Sequence, residues 1–219
     1  MFVGHFALGF AAKRAAPKVS LGLLFAACQL ADMLWPILVA AGVERVRIAP
    51  GITAFTPLDF ISYPYSHSLV ALCLWGTVLG SVCWLRGTDG RASLLVAALV
   101  VSHWILDFVS HRPDMPIYPG GALWGLGLWN SVPATLVVEL LLYGAGVWLY
   151  ATSTRAQSAA GRWSFLGLAS FLLLSYFGNL AGGAPPSVTA VYSVGIAGAV
   201  LITVWSWWTD RHRRPAFGC

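Results

Sequence analysis

The chain has 219 residues, of which 58% are hydrophobic and only 10% charged, with a formal charge of +5 and a mean hydropathy of +0.74. A soluble domain is about a quarter charged, so this composition excludes a water-covered globule and points to a polytopic helical membrane protein. The Lys and Arg residues are scattered one to three per connection, so no nucleic-acid partner is expected and the basic balance reads as topology.

In chain order, a short membrane helix is expected over about 2–15, ending near Pro17. Its apolar stretch precedes the basic cluster Lys13, Arg14 and Lys18, the reverse of a signal peptide. Six full spans follow, over about 19–42, 66–85, 92–111, 128–151, 163–181 and 189–208, each near the ~20 residues a bilayer requires. The expected fold is therefore an all-α bundle forming one integral-membrane domain over 1–219, without an internal repeat. The connections 43–65 and 112–127 are rich in Pro and Gly but also carry aromatic and aliphatic residues, so they read as rigid loops. Cys28, Cys73 and Cys83 fall inside apolar segments and Cys219 ends the chain. Without metal-site or redox spacing they read as small core residues.

Ten basic residues fall on one side of this arrangement: Lys13, Arg14, Lys18, Arg86, Arg91, Arg155, Arg162, Arg211, Arg213 and Arg214. Three, Arg45, Arg47 and Arg112, fall on the other. The positive-inside rule then makes the first side, with the C-terminus, cytoplasmic. The chain is expected to cross the membrane several times.

Ionisable residues inside spans cost about 2.5–3.5 kcal/mol each on insertion scales and are functional candidates. Here they are His5, Asp32, His67, His103, Asp107, His111 and Glu139. At a rise of ~1.5 Å per residue, the first six fall about 17–29 Å above the cytoplasmic ends of their segments. Residues of four segments thus share one layer, as a single cavity in the outer half of the bilayer would require. The stretch "SHWILDFVSH" sets His103, Asp107 and His111 four residues apart on one helical stripe. Either adjacent pair can chelate a cation, or Asp107 can bridge two ions ~3.5–4 Å apart. Imidazole with carboxylate suits zinc, manganese or iron, and the residues do not choose between them. Glu139 reads as an acid that orients a histidine or as a helix–helix hydrogen bond. Asn130 and Ser131 read first as a helix N-cap, with Asn130 also a supporting candidate for the site.

"GHFALGF" near the start, "LAD" in the first span, "YSHSL" opening the second and "SHWILD" in the third resemble the YdjM-like family of bacterial inner-membrane proteins. That family is predicted to comprise metal-dependent hydrolases, distantly related to zinc-dependent phospholipase C and single-strand nucleases. The resemblance covers about 1–115; the rest, about 128–208, matches only as generic spans. It implies that His5, Asp32, His67, His103 and Asp107 are metal ligands. The chain departs from the pattern at Leu34, where the family often has a second acid, and at Ser62, Tyr63 and Pro64, where it often has His-Arg-Gly. Those departures leave open fewer metals, another substrate or an inactive relative.

The expected function is a membrane-embedded, metal-dependent phosphoester hydrolase, with Asp107 and Asp32 as the catalytic carboxylates. Membrane lipid is both its solvent and a candidate substrate. A metal or proton carrier and a non-catalytic membrane protein are the alternatives. A carrier needs polar residues through the full depth, and the inner halves of these spans are nearly all apolar. The oligomeric state is not legible.

Overall fold

The computed structural model describes residues 1–216, so Cys219 lies outside the described residues. Helix α1 covers Val3–Ala15 and stops before Pro17, which disfavours helical geometry at the residue preceding it. The stretch expected as one span over 19–42 is two helices, α2 (Leu21–Cys28) and α3 (Leu30–Ala40), bent by 59°. The bend falls at Gln29 and withdraws the Cys28 carbonyl from a regular helical ladder. In an apolar layer such a carbonyl needs another donor, and His103 Nδ1 supplies it at 2.8 Å.

The connection expected as a rigid loop over 43–65 is a ribbon of β1 (Arg45–Ile48) and β2 (Leu58–Ser62), paired antiparallel. One turn of helix, α4 (Pro64–His67), leads to α5 (Leu69–Leu85). Ser68 between them is extended and caps α5 by accepting from the Ala71 amide. This break shortens the second expected span: α5 has 17 residues, under the length of a full crossing. Helix α6 covers Gly90–Ser110, started by Asp89 as N-cap. Two residues each of β3 (Met115–Pro116) and β4 (Leu123–Trp124) pair in the next connection.

A short 3-10 turn, Leu128–Asn130, precedes α7 (Val132–Ser153). Ser131 is the N-cap of α7, accepting from Ala134 N. Strand β5 (Thr154–Ala156), α8 (Ala159–Ala181), α9 (Val188–Arg211) and β6 (Arg213–Pro215) complete the described chain, with β5 and β6 paired antiparallel. Among the described residues, four helices, α6 to α9, are long and apolar enough to cross a membrane, or five spans if bent α2–α3 counts as one. The chain is a helical membrane protein, with short β ribbons in connections where only loops were expected.

Two close approaches organise the bundle. Gly76 and Gly80 on α5 face Ala97 and Ser93 on α6; a Cβ at either glycine would meet a backbone carbonyl at 2.8 or 2.9 Å. This is small-residue packing of the kind that lets membrane helices touch at their backbones. Gly146 on α7 takes the Ala7 backbone of α1 in the same way. Around that second contact Phe10, Phe25, Tyr150 and Phe165 stack edge-on or tilted, with centroids 4.8–6.1 Å apart, an arrangement aromatic quadrupoles favour.

Candidate metal centre

The hairpin of α5 and α6 sets His67 beside His103, because the glycine contact leaves no side-chain layer between the two helices. The bend of α2–α3 brings Asp32 to the same place from a third direction. Four donor atoms then face one another. His67 Nε2 lies 3.5 Å from Asp32 Oδ1 and 3.8 Å from Asp107 Oδ2. His103 Nε2 lies 3.8 Å from Asp32 Oδ1 and 3.1 Å from Asp107 Oδ2. His5 approaches the other oxygen of Asp107, with Nε2 at 3.0 Å from Oδ1, and its ring lies flat on that of His103 at 3.8 Å. The Met1 amino nitrogen also contacts Asp107 Oδ1, and Ser110 Oγ at 3.0 Å.

The protons on the histidines follow from their other partners. A carbonyl only accepts, so His103 donates through Nδ1 to Cys28. Ser66 Oγ donates to Glu44 Oε2 at 2.6 Å, which leaves it to accept from His67 Nδ1 at 2.7 Å. His111 donates through Nδ1 to Asp114 Oδ1 at 2.9 Å. In each neutral imidazole the Nε2 lone pair therefore points inward, toward carboxylate oxygens. Acceptors facing acceptors in a buried site repel unless a cation or a proton lies between them. A metal bonded at ~2.0–2.2 Å to four tetrahedral ligands sets them about 3.3–3.6 Å apart, and the four separations above bracket that edge. Hydrogen-bonding the outer ring nitrogen to a carboxylate, hydroxyl or carbonyl is also the usual setting of a metal-bound histidine. Two groups, His5 with His103 and Asp107, and Asp32 with His67 and His103, have the geometry to hold a metal ion.

His111 departs from its expected place on a helical stripe. Helix α6 ends at Ser110, and His111 is extended at the C-cap, consistent with Pro113 lying two residues on. Its Nε2 still returns to 3.9 Å from Asp107 Oδ2, with the ring against Trp129 at 4.2 Å. Glu139 does not touch a histidine ring. Its Oε2 accepts from the Phe2 and Gly4 amides at 2.8 and 3.1 Å, capping from α7 the free N–H groups at the start of α1 and holding the turn that carries His5. Asn130 is exposed at the end of the 3-10 turn, and the N-cap oxygen belongs to Ser131.

Sequence reasoning missed the groups that orient the histidines. Glu44 is buried and accepts from the Tyr65 and Ser66 amides and the Ser66 hydroxyl. Asp114 accepts from His111, Tyr63 and Arg112. Burial and the Asp114 carboxylate push the Tyr63 hydroxyl well above its ordinary range, so it stays a donor. Glu44 and Asp114 fall in connections between helices, where acids are ordinary, and depth in a span was the signal used. The available signal was adjacency: Ser66 precedes His67, and Asp114 follows His111 by three residues. No family model, curated protein or solved structure matches the chain.

Proposed function

We propose that this protein is a membrane-embedded, metal-dependent phosphoester hydrolase whose centre is formed by Asp32, His67, His103 and Asp107, with His5 and His111 beside it. The observation that carries this reading is the inward convergence of two Nε2 lone pairs and two carboxylates at 3.1–3.8 Å. Zinc suits this nitrogen and oxygen donor set first, with manganese and iron as alternatives. A divalent ion held by these residues would polarise a phosphoryl oxygen and lower the pKa of a water to ~7.

The chain's own residues divide the remaining work. Asp107 is buried, with its two oxygens turned toward different histidines, His103 and His5. That suits a ligand able to bridge. The Asp32 side chain is 44% exposed, so it is the carboxylate a water and a substrate can reach. In hydrolysis the water oxygen bonds to phosphorus and the phosphorus–oxygen bond to the alcohol breaks. Asp32 takes the proton from the water and passes it to the departing alkoxide, which leaves as an alcohol. Kinship with the YdjM-like family and a site opening to the outer side of a bacterial inner membrane belong to the same proposal.

The test is metal content together with phosphodiester cleavage. Protein purified in detergent and supplied with zinc and manganese is expected to retain metal by plasma mass spectrometry and to cleave bis(p-nitrophenyl) phosphate. Asp107→Asn keeps the shape but removes the charge, and should lose both while the protein still inserts. Full metal occupancy in Asp107→Asn, or none in the parent, would make the cluster structural and sink the proposal.

A further inference from the structure

Asp32 has a second neighbourhood. Its side chain lines a cavity of about 510 Å³ bounded by α1, α2, α3, α8 and α9. The walls are apolar, with Phe6, Phe25, Met33, Phe171 and Ile202 among them. Along α9 the lining runs from Ala190 to Thr203, about 20 Å at ~1.5 Å per residue. Gly22 meets Trp207 and Pro36 meets Gly195, so α9 runs antiparallel to α2–α3. Asp32, between Gly22 and Pro36, therefore stands opposite the middle of that lining. Helix α9 buries only Ser206 and Thr209, although it is apolar enough to cross a membrane.

The geometry points to this cavity as the seat of the hydrocarbon tail of a membrane glycerophospholipid, whose phosphoester then lies at Asp32. Two features carry the inference. From the level of Asp32 the trough runs along apolar side chains in both directions on α9, surroundings that suit a hydrocarbon chain. The cavity joins an apolar trough to the one exposed carboxylate of the metal cluster, which a soluble phosphoester would not require. The inference rests on the hydrolase reading for its headgroup chemistry, and names the substrate class of that site.

Gly198 offers a way to block the trough, because a Cβ there meets open space. Gly198→Phe puts a ring across the cavity, and Ser175→Phe does so from α8. Leu174→Phe, on an exposed position of α8 outside the lining, is the control. The probe is phosphatidylglycerol with a diazirine in one acyl chain, reconstituted in vesicles with the full chain and cross-linked by light. Adducts on Met33 and Phe171 are expected in the parent and in Leu174→Phe. Both blocking variants should lose them about tenfold, since room for two methylenes already decides a factor of that size. Adducts on the exposed Leu201 and the metal content should stay unchanged.

Cavity adducts that persist in both blocked variants would overturn the inference. So would their absence in the parent. Cavity adducts in a parent that binds metal but cleaves no phosphoester would support the tail site while removing the hydrolase reading, so the two failures are distinguishable.

Discussion

At the residue scale, the histidines matter less for what they are than for how they are held. His67 carries its Nδ1 proton into a relay of Ser66 and Glu44, with steps of 2.7 and 2.6 Å. Glu44 accepts two amides on Oε1 and one hydroxyl on Oε2, which only a carboxylate can do with both oxygens. Glu44→Gln must turn an NH₂ toward one of those partners, and Ser66 then loses either its acceptor or its orientation. Groups of this supporting kind are worth about 10–100-fold in metal affinity. We expect Glu44→Gln to weaken zinc retention by that factor in a chelator competition, with unchanged helical circular dichroism. Retention equal to the parent's would show that the relay does not orient His67.

At the element scale, the site depends on two departures from straight helices. One is the bend at Gln29, which gives Cys28 a carbonyl to spend on His103. The other is the extended Ser68, which turns α4 away from α5 so that His67 faces inward. The close α5–α6 contact sets the distance between the elements that carry His67 and His103. A Cβ at Gly80 meets the Ser93 carbonyl at 2.9 Å, an atom of a helix backbone that cannot rotate away. Gly80→Val should cost about 1–3 kcal/mol by overpacking, read as a lower melting temperature in detergent, and should weaken metal binding because α5, which follows directly on the α4 turn carrying His67, is pushed off α6, which carries His103. Gly144, whose Cβ would meet nothing within 4 Å, is the control: Gly144→Ala should leave both unchanged.

At the scale of the whole molecule, charge sorts to one end. Lys13 pairs with Asp210 at 2.6 Å, and Arg213 donates to the Thr154 and Gly161 carbonyls, so these three connections meet. The metal cluster lies toward the other end, beside β1–β2 and the Arg112–Asp59–Arg47 ion pairs. With ten basic residues expected at the first end, the rule for insertion predicts a cytoplasmic location for that end. A C-terminal alkaline phosphatase fusion is then expected to be inactive and a fluorescent-protein fusion bright. Strong phosphatase activity would reverse the orientation and move the site to the cytoplasmic leaflet.

The helical membrane class was legible in the sequence because lipid tolerates few backbones, and long apolar runs leave no alternative. The candidates His5, Asp32, His67, His103, Asp107 and His111 were legible for the same reason: ionisable groups in such runs stand out, and the rise of a helix ranks their depths. Span count was not legible, because hydropathy registers neither the break at Gln29 nor the one at Ser68, and both depend on partners distant in sequence. The direction each imidazole faces was decided only by tertiary structure, since Cys28, Glu44 through Ser66, and Asp114 set it, and the two acids lie in connections where charge is cheap. The cavity along α9 was equally invisible: an apolar helix reads the same whether lipid, protein or an open trough lies against it, and only the packing of the other helices distinguishes them.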